Sequence, residues 1–474
     1  MKVSPLSLGT IHFCGIGGIG MSGIAEILHA LGQKVQGSDI CENANVIRLR
    51  KKGIPIFIGH RAENIDTANM LVVSSAIDPK NVEICEALKR KLSIVHRSEM
   101  LSQLARLKFS AIVSGSHGKT TTTSLISAIF DAALMDPTVI NGGIITAYGT
   151  NARLGAGDWM VIESDESDGS FVDLSPTVAI VTNIDPEHLD HYGSFEALKE
   201  SFRTFVHKVP FYGFGVLCVD HPVVESLIAT LPNKTIVTYG LKESAQVRAL
   251  NIHASEGLTK FDVEIKLPQK SVIYWSDITS PLIGEHNIQN MLAAIATAHK
   301  LEIPLDYIRE GLRRFEGVKR RFTKTGEIKG IRIYDDYAHH PAEIRAVLKA
   351  ARSITTGKII AVLQPHRFSR VKGLMEEFST SVSEADHVFV APIYAAGETP
   401  ISGITHEVLS KKMQKQDIKA QSFSDERDLV SLLHPFLEEK DIVLFMGAGT
   451  VSGWANTFPK EFESYLNSKE SQSA

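Results

Sequence analysis

No run of the chain approaches the roughly 20 consecutive apolar residues of a spanning helix, so no stable membrane insertion is expected. Cysteine is scarce: Cys14, Cys41, Cys85 and Cys218 are the only four in 474 residues. They lack metal-ligand spacing and are too few for a disulfide scaffold, which points to a reducing, cytoplasmic setting. The N-terminal apolar stretch is interrupted by polar and glycine residues before a signal-peptide pattern completes. Charge of either sign is not in excess, with 50 Lys and Arg against 54 Asp and Glu. No basic tract offers a nucleic-acid surface, so none is expected as a partner, and any anionic ligand must be held by local devices.

What remains is a composition that folds, 43% apolar and 22% charged. The length exceeds one ordinary core, and two to four domains are expected. Much of the glycine falls in clusters. The first follows an apolar strand pattern, Leu8 to Cys14, as Gly15-Ile16-Gly17-Gly18-Ile19-Gly20. A helical pattern from Met21 to Leu31 and a short strand from Lys34 lead to Ser38-Asp39. Strand, glycine turn, helix, strand and acid form the dinucleotide-fold fingerprint, in which backbone N–H groups and a helix N-terminus meet a diphosphate. The fingerprint does not choose NAD over UDP, and a plain tight turn would also use these glycines.

The second cluster is sharper. Phe109 to Val113 reads as a strand, Ser114-Gly115-Ser116-His117-Gly118-Lys119-Thr120 as a phosphate loop, and Thr121 to Phe130 as the following helix. Backbone amides can cradle phosphate, Lys119 can reach the β and γ oxygens, and the Thr120 hydroxyl can ligate magnesium. The outer glycine of the generic loop is replaced by Val113, so the loop is a shortened variant. Thr120 to Thr123 are also expected to cap the helix. A strand ending at Glu163 opens the run Glu163-Ser164-Asp165-Glu166-Ser167-Asp168, and its place at a strand end favours Glu163 as a metal ligand or water holder. The strand Val178 to Val181 leads to Asp185, Glu187, His188 and Asp190, where His188 reads equally as a packing or surface histidine and as a contact of the magnesium shell.

Gly240 to Ile278 alternates polar and apolar residues and reads as an antiparallel edge insertion. Asn287 and Asn290, three apart near the start of an alanine-rich helix, share a face and can read an adenine edge or serve as core amides. Beyond a hinge at Gly317 come Lys319-Arg320-Arg321 and a strand into Asp335-Asp336-Tyr337-Ala338-His339-His340-Pro341. Strands from Lys358, Val388 and Ile442 complete a third α/β unit with its functional loops on one edge.

In this order the pieces GIGGIGMSGIAEIL, SGSHGKTTTT, ESDESDGSF, TNIDPEHLDHY, GEHNIQN, FEGVKRRF, DDYAHHP and QPHRFSR resemble the Mur ligase family over essentially the whole chain. GIGGIGM and DDYAHHP favour its alanine-adding branch. The resemblance implies an α/β fold of three domains: a Rossmann-like domain at 1–107 for the UDP-sugar, a central P-loop ATPase-like domain at 108–317, and a C-terminal α/β domain at 318–474. It implies that Gly15, Gly17, Gly18 and Gly20 meet the UDP diphosphate, with Asp39 nearby. Gly115, Ser116, His117, Gly118, Lys119, Thr120 and Thr121 would bind ATP phosphates, and Thr120, Glu163 and His188 would hold Mg2+. His286, Asn287, Asn290, Arg320 and Asp336 would complete the nucleotide site, and Arg321, His339, Arg367 and Arg370 the substrate site. Lys119, Glu163, His188, His339 and Arg370 would carry catalysis. Ser116 stands where the family loop usually has threonine, and a hydroxyl is kept.

The implied activity is ATP-dependent joining of L-alanine to the lactyl carboxylate of UDP-N-acetylmuramate through an acyl phosphate, a step of peptidoglycan synthesis. The amine must arrive neutral, and His339 and Asp336 are the two candidates to take its proton. Weak self-association is a further expectation. A peptide-adding relative, a non-catalytic UDP-sugar binder and a nicotinamide dehydrogenase are the other readings. The last two leave the second phosphate loop unexplained.

Overall fold

The computed structural model describes residues 8–255 and 257–473. It falls into two compact units. The first takes in the chain up to Ile252 together with Lys260–Ser280 and Asn287–Glu316; the second takes in His253–Thr259, Pro281–His286 and the chain from Gly317 on. Gly317 sits at this division with φ +85° and no neighbour crowding its Cα, a conformation that favours glycine. No helix of the described residues is long and apolar enough to cross a membrane.

Continuous apolar runs become parallel strands covered on both faces. In the N-terminal part, β1 (Thr10–Cys14), β2 (Lys34–Asp39), β3 (Ile56–Ile58), β4 (Met70–Val73) and β5 (Ser93–His96) form a sheet of order β3-β2-β1-β4-β5, parallel throughout. The glycine turn joins β1 to the helix Ile19–Ala30, which begins two residues earlier than its apolar pattern.

The central sheet is built from β6 (Phe109–Ser114), β7 (Thr138–Ile145), β8 (Thr150–Arg153), β9 (Trp159–Glu163), β10 (Val178–Val181), β11 (Phe214–Cys218), β12 (Ile236–Gly240), β13 (Val247–Ser255), β14 (Leu258–Ile265) and β15 (Ile273–Ser280). Its order is β15-β14-β13-β12-β11-β10-β6-β9-β7-β8. The phosphate-loop strand β6 thus lies between β10 and β9, parallel to both, so three functional loops leave one edge side by side. The alternating segment does occupy the far edge, but its first junction, β12 with β13, is parallel. Alternation reports which face is buried, not the direction of the partner strand.

In the second unit, β16 (Thr323–Ile328), β17 (Ile331–Asp336), β18 (Ile359–Leu363), β19 (His387–Val390), β20 (Ala420–Ser422) and β21 (Ile442–Met446) make a sheet of order β16-β17-β21-β18-β19-β20. Only the β16 edge pair is antiparallel. β18 and β21 are buried at every residue, and Asp336, Gln364 and Gly447 leave the same edge from adjacent strands.

Candidate active site

The phosphate loop is shaped by glycines that nothing else can replace. Gly118 has φ +80°, and a Cβ there would sit 2.4 Å from Asn290 Oδ1. At Gly115 a Cβ would lie 2.1 Å from Thr182 Oγ1. The loop is tied to the β10 exit: Ser116 N donates to the Asn183 carbonyl (3.1 Å), His117 N to Asn183 Oδ1 (2.7 Å), and Asp185 N to Ser116 Oγ (2.8 Å). Gly118 itself is the N-cap of the helix Lys119–Ala132, so the four threonines lie inside its first turns, buried, and do not cap it. The expectation of threonine capping fails because a left-handed glycine already ends the loop.

Lys119 is largely buried, its side chain 13% exposed, and its ammonium donates to the Ser116 carbonyl (3.1 Å) and to both oxygens of Glu166 (2.8 and 3.1 Å). Burial alone would lower its pKa, but Glu166 and Asp165 outweigh burial and hold the amine charged. Burial raises Glu166 to about 7, with Lys119 pulling the other way. Glu163 takes a different place: its Oε1 accepts from the Thr120 hydroxyl (2.9 Å) and its Oε2 from Gly142 N (2.6 Å). A Cβ at Gly142 would come within 2.6 Å of those oxygens, so the close approach needs glycine.

His188 opens the helix Leu189–Tyr192 in the left-handed region, φ +56°. Its Nε2 stands 3.8 Å from Glu166 and 3.7 Å from Glu187, and the three groups converge closely enough to share one cation. The acids of the run therefore divide: Glu163 serves Thr120, while Glu166 serves Lys119 and His188. Magnesium takes oxygen ligands, which the Thr120 hydroxyl and the carboxylates supply; the His188 nitrogen fits that donor set poorly. Asp190 has its side chain outside the described set. Asp185, flanked by His117 (3.0 Å) and His221 (3.2 Å), is held well below the usual carboxylate range: burial raises it, but those two hydrogen bonds prevail.

Asn287 and Asn290 do share a face, with Asn290 Nδ2 donating to Asn287 Oδ1 (3.2 Å). Asn290 Oδ1 also accepts from Thr122 (3.1 Å), so this amide supports the phosphate loop directly.

In the N-terminal turn the amides are largely spent. Gly15 N and Ile16 N donate to the Ser38 carbonyl (2.8 and 2.9 Å), Gly18 N to the Gly15 carbonyl, and Gly17 N to Asp39 Oδ2 (2.8 Å). Asp39 closes the turn, and the amides of the first turn of the helix, at Ile19, Gly20 and Met21, are the ones an anion could meet. Gly20 leaves room for Arg97, whose guanidinium would lie 3.0 Å from a Cβ there and reaches Asp168 at 3.5 Å. Beside this pair an open cleft of about 640 Å³ is lined by Ser75, His96, Ser98, Asp168, Ser170 and His191, among others.

In the second unit Arg320 donates to the Gly447 carbonyl (2.9 Å) and packs over Tyr337, with Arg321 over the same ring at 5.2 Å. Asp336 is buried and raised by burial to about 6; its oxygens accept from Phe322 N and Ala338 N, both 2.7 Å. His339 Nδ1 lies 2.9 Å from the Tyr337 carbonyl. His286 is half-buried, and desolvation with the nearby Arg321 lowers it to about 4. Arg367, at φ +68°, is held by Glu398 (2.6 Å), which also takes Ser369 N; Arg370 contacts His366 Nδ1 (3.3 Å). Glu166, Glu187, Asn183, Arg97 and Glu398 were not singled out from sequence. Only Glu166 and Glu187 had a signal, as acids one turn or one residue from the chosen ones.

Three family models match in sequence order: the Mur ligase family catalytic domain at residues 10–109, the Mur ligase middle domain at 113–298, and the Mur ligase glutamate ligase domain at 320–449. A UDP-N-acetylmuramate–L-alanine ligase of Chelativorans sp. (strain BNC1) is 52% identical over 459 residues, 96% of this chain and 99% of that protein. The like-named protein of Brucella anthropi is 52% identical over 96% of this chain and 98% of its own length. Among solved structures, UDP-N-acetylmuramate-alanine ligase of Thermotoga maritima aligns with a TM-score of 0.81 at 29% identity, covering 96% of this chain and all of that one. A murein peptide ligase of Psychrobacter arcticus shares the fold, with a TM-score of 0.68 at 23% identity over 97% of this chain and 98% of its own. With both phosphate-loop and glycine-turn geometries in place and matches spanning nearly its full length, the chain belongs to the Mur ligase family.

Proposed function

We propose that the chain joins L-alanine to the lactyl carboxylate of UDP-N-acetylmuramate at the expense of ATP, giving UDP-N-acetylmuramoyl-L-alanine, ADP and phosphate for peptidoglycan synthesis in the cytoplasm. The observation that carries the reading is the edge of the central sheet. There a largely buried, charged Lys119 and the Thr120–Glu163 pair stand beside neighbouring strand ends. Full-length relatives at 52% identity, named for this reaction, support the choice of substrates. The domains divide as 1–107, 108–317 and 318–474.

A carboxylate is a poor acyl donor because its leaving group would be oxide. Attack of the lactyl carboxylate oxygen on the γ-phosphorus, with release of ADP, makes an acyl phosphate whose leaving group is phosphate. Lys119 leaves Glu166 for the γ-phosphoryl oxygens and stabilises their charge. Thr120 and Glu163, with Glu166 and Glu187, would hold Mg2+, which would supply positive charge to neutralise the phosphates. The cleft beside Arg97 and Asp168 takes the sugar, and the first turn of the Ile19 helix takes the diphosphate. The neutral amine of alanine attacks the acyl carbon, the tetrahedral intermediate expels phosphate, and the surplus proton passes to a base. His339 and Asp336 are the candidates, and Arg321, Arg367 and Arg370 hold carboxylate or phosphoryl oxygens. The test is product formation from UDP-N-acetylmuramate, ATP and magnesium with alanine, glycine, serine or a tripeptide in turn. Alanine is the expected acceptor; faster ligation of the tripeptide would overturn the reading.

A further inference from the structure

A second polar cluster lies against the five-stranded sheet, away from the phosphate loop. His12 and Cys14 of β1 and Gln36 and Ser38 of β2 face one side of the sheet. There they meet His60, Asn64 and, from the helix Val82–Lys89, Glu83. Cys14 and Glu83 are fully buried. Three different donor atoms converge: Cys14 Sγ lies 3.7 Å from His60 Nδ1, and that nitrogen lies 3.4 Å from Glu83 Oε2. No two of the three groups are farther than 4.8 Å apart. A tetrahedral zinc ion with ordinary bond lengths sets sulfur and nitrogen ligands about 3.5 Å apart, and nitrogen and oxygen ligands about 3.4 Å apart. The cluster comes close to both edges.

The charges call for a cation of that kind. Burial raises the Glu83 pKa, yet bonds from His12, Ser38 and Asn64 bring it to about 2, so it is a carboxylate. Among the described residues no lysine or arginine side chain pairs with it; its ion-pair partners are His12 and His60. A buried charge is normally paired or bound to a metal. Burial, with Glu83 beside it, pushes the Cys14 thiol well up, so the metal-free thiol keeps its proton. A divalent ion releases that proton to solvent, and thiolate and carboxylate then balance its two charges around a neutral imidazole. Bound through Nδ1, His60 carries its proton on Nε2, whichever nitrogen held it before. Glu83 is already braced: Ser38 donates to Oε2 at 2.6 Å and Asn64 to Oε1 at 2.7 Å, the outer support that ligating carboxylates use. His60, its side chain 13% exposed, borders solvent, so a water can enter as the fourth ligand.

We propose that Cys14, His60 and Glu83 bind one zinc ion, at a site separate from the magnesium region of the phosphate loop. Thiolate and imidazole select such a metal over magnesium, which takes oxygen ligands. Spacing along the chain hides the site, because Cys14 and His60 lie 46 positions apart and meet only when β1, β2 and β3 pair. Cys14 ends β1 directly before Gly15, whose N–H is held by the Ser38 carbonyl. Zinc therefore clamps the root of the glycine turn to the segment after β3 and to the helix Val82–Lys89.

Titration of the full chain with Co2+, in excess Mg2+ to fill the oxygen sites, tests this. Co2+ takes the place of zinc, and a cobalt–thiolate bond shows a near-ultraviolet charge-transfer band that oxygen and nitrogen ligands do not give. The wild type is expected to develop this band and to lose it when Zn2+ is added. C41S/C85S/C218A, which leaves Cys14 as the one thiol, should keep the band. C14V, checked by thermal melting, should lack it and bind Zn2+ about tenfold or more weakly, since even a supporting residue is worth that much. No charge-transfer band in the wild type overturns the proposal whether or not C14V folds. A band that persists in folded C14V, or that vanishes from the folded triple variant, overturns it as well.

Discussion

Replacing Lys119 by alanine perturbs two things that can be separated. The ammonium lies 2.8 Å from Glu166 inside the fold. At that distance and an effective dielectric near 20, the attraction is about 6 kcal/mol before desolvation is charged against it. Removing one partner of a buried pair costs about 3–5 kcal/mol, because the other charge stays behind. Glu166 has an escape, since burial already raises it to about 7 and loss of the lysine lets it take a proton. The lower figure, about 3 kcal/mol, is therefore expected, a fall in Tm of roughly 6–12 °C. Turnover should fall by about 10²–10³ or more from loss of charge stabilisation at the transferring phosphoryl. E166Q in the same chain removes the stranded acid. The K119A/E166Q protein should recover most of the lost Tm, but none of the lost turnover. Scanning fluorimetry and amide-product assays on the four proteins of this cycle read both effects. Near-normal ligation by folded K119A would refute the catalytic role; no recovery of Tm in the double variant would refute the stranded-charge argument.

Asp336 is raised by burial to about 6, so the folded state binds its proton more tightly than the unfolded chain does. Its stabilising contribution is complete below about pH 4 and lost as pH rises through 6. Wild type should accordingly lose about 3 kcal/mol relative to D336N across that window, read as diverging Tm values; parallel curves would refute it. G118A places a side chain in the left-handed region and against Asn290, and is expected to weaken ATP binding about tenfold or more; titration with ATP reads it, and an unchanged Kd counts against the loop geometry. R370A should keep its Tm within a few degrees yet lose ligation, with R370K only partly restoring it because the planar fork is gone. Phosphate release and amide formation at wild-type rates in a one-to-one ratio would remove Arg370 from the site.

The strands were the most legible part of the chain. Trp159–Glu163, Val178–Val181 and Ile442–Met446 stand where the continuous apolar runs place them, because parallel strands buried on both faces leave no alternation to misread. The phosphate loop was legible for a related reason: its chemistry is local in sequence. Pairings across long stretches were not. Nothing in the run from Glu163 to Asp168 says which acid turns toward Lys119, since that depends on how the chain folds back after β9. Glu398 holds Arg367 from 31 positions away, and no periodicity announces it. Asp39 was expected beside the sugar nucleotide, yet it spends an oxygen on Gly17 N, a contact visible only once β1 and β2 are in register.

Asn151 ties the two nucleotide devices to each other. Its amide nitrogen donates to the Ile19 carbonyl at 2.7 Å, in the first turn of the diphosphate helix, and approaches the Asn141 carbonyl at 3.4 Å. Asn141 directly precedes Gly142, whose N–H holds Glu163. If ordering one end through this amide makes the other cheaper to order, thermodynamic reciprocity requires ATP and the UDP-sugar to raise each other's affinity by the same factor. Ligands coupled in this way would load as a set and leave the half-filled enzyme depopulated. That spares ATP from being split before its acceptor is present, a saving measurable as equal ratios of Kd with and without the second ligand, collapsing toward one in N151A.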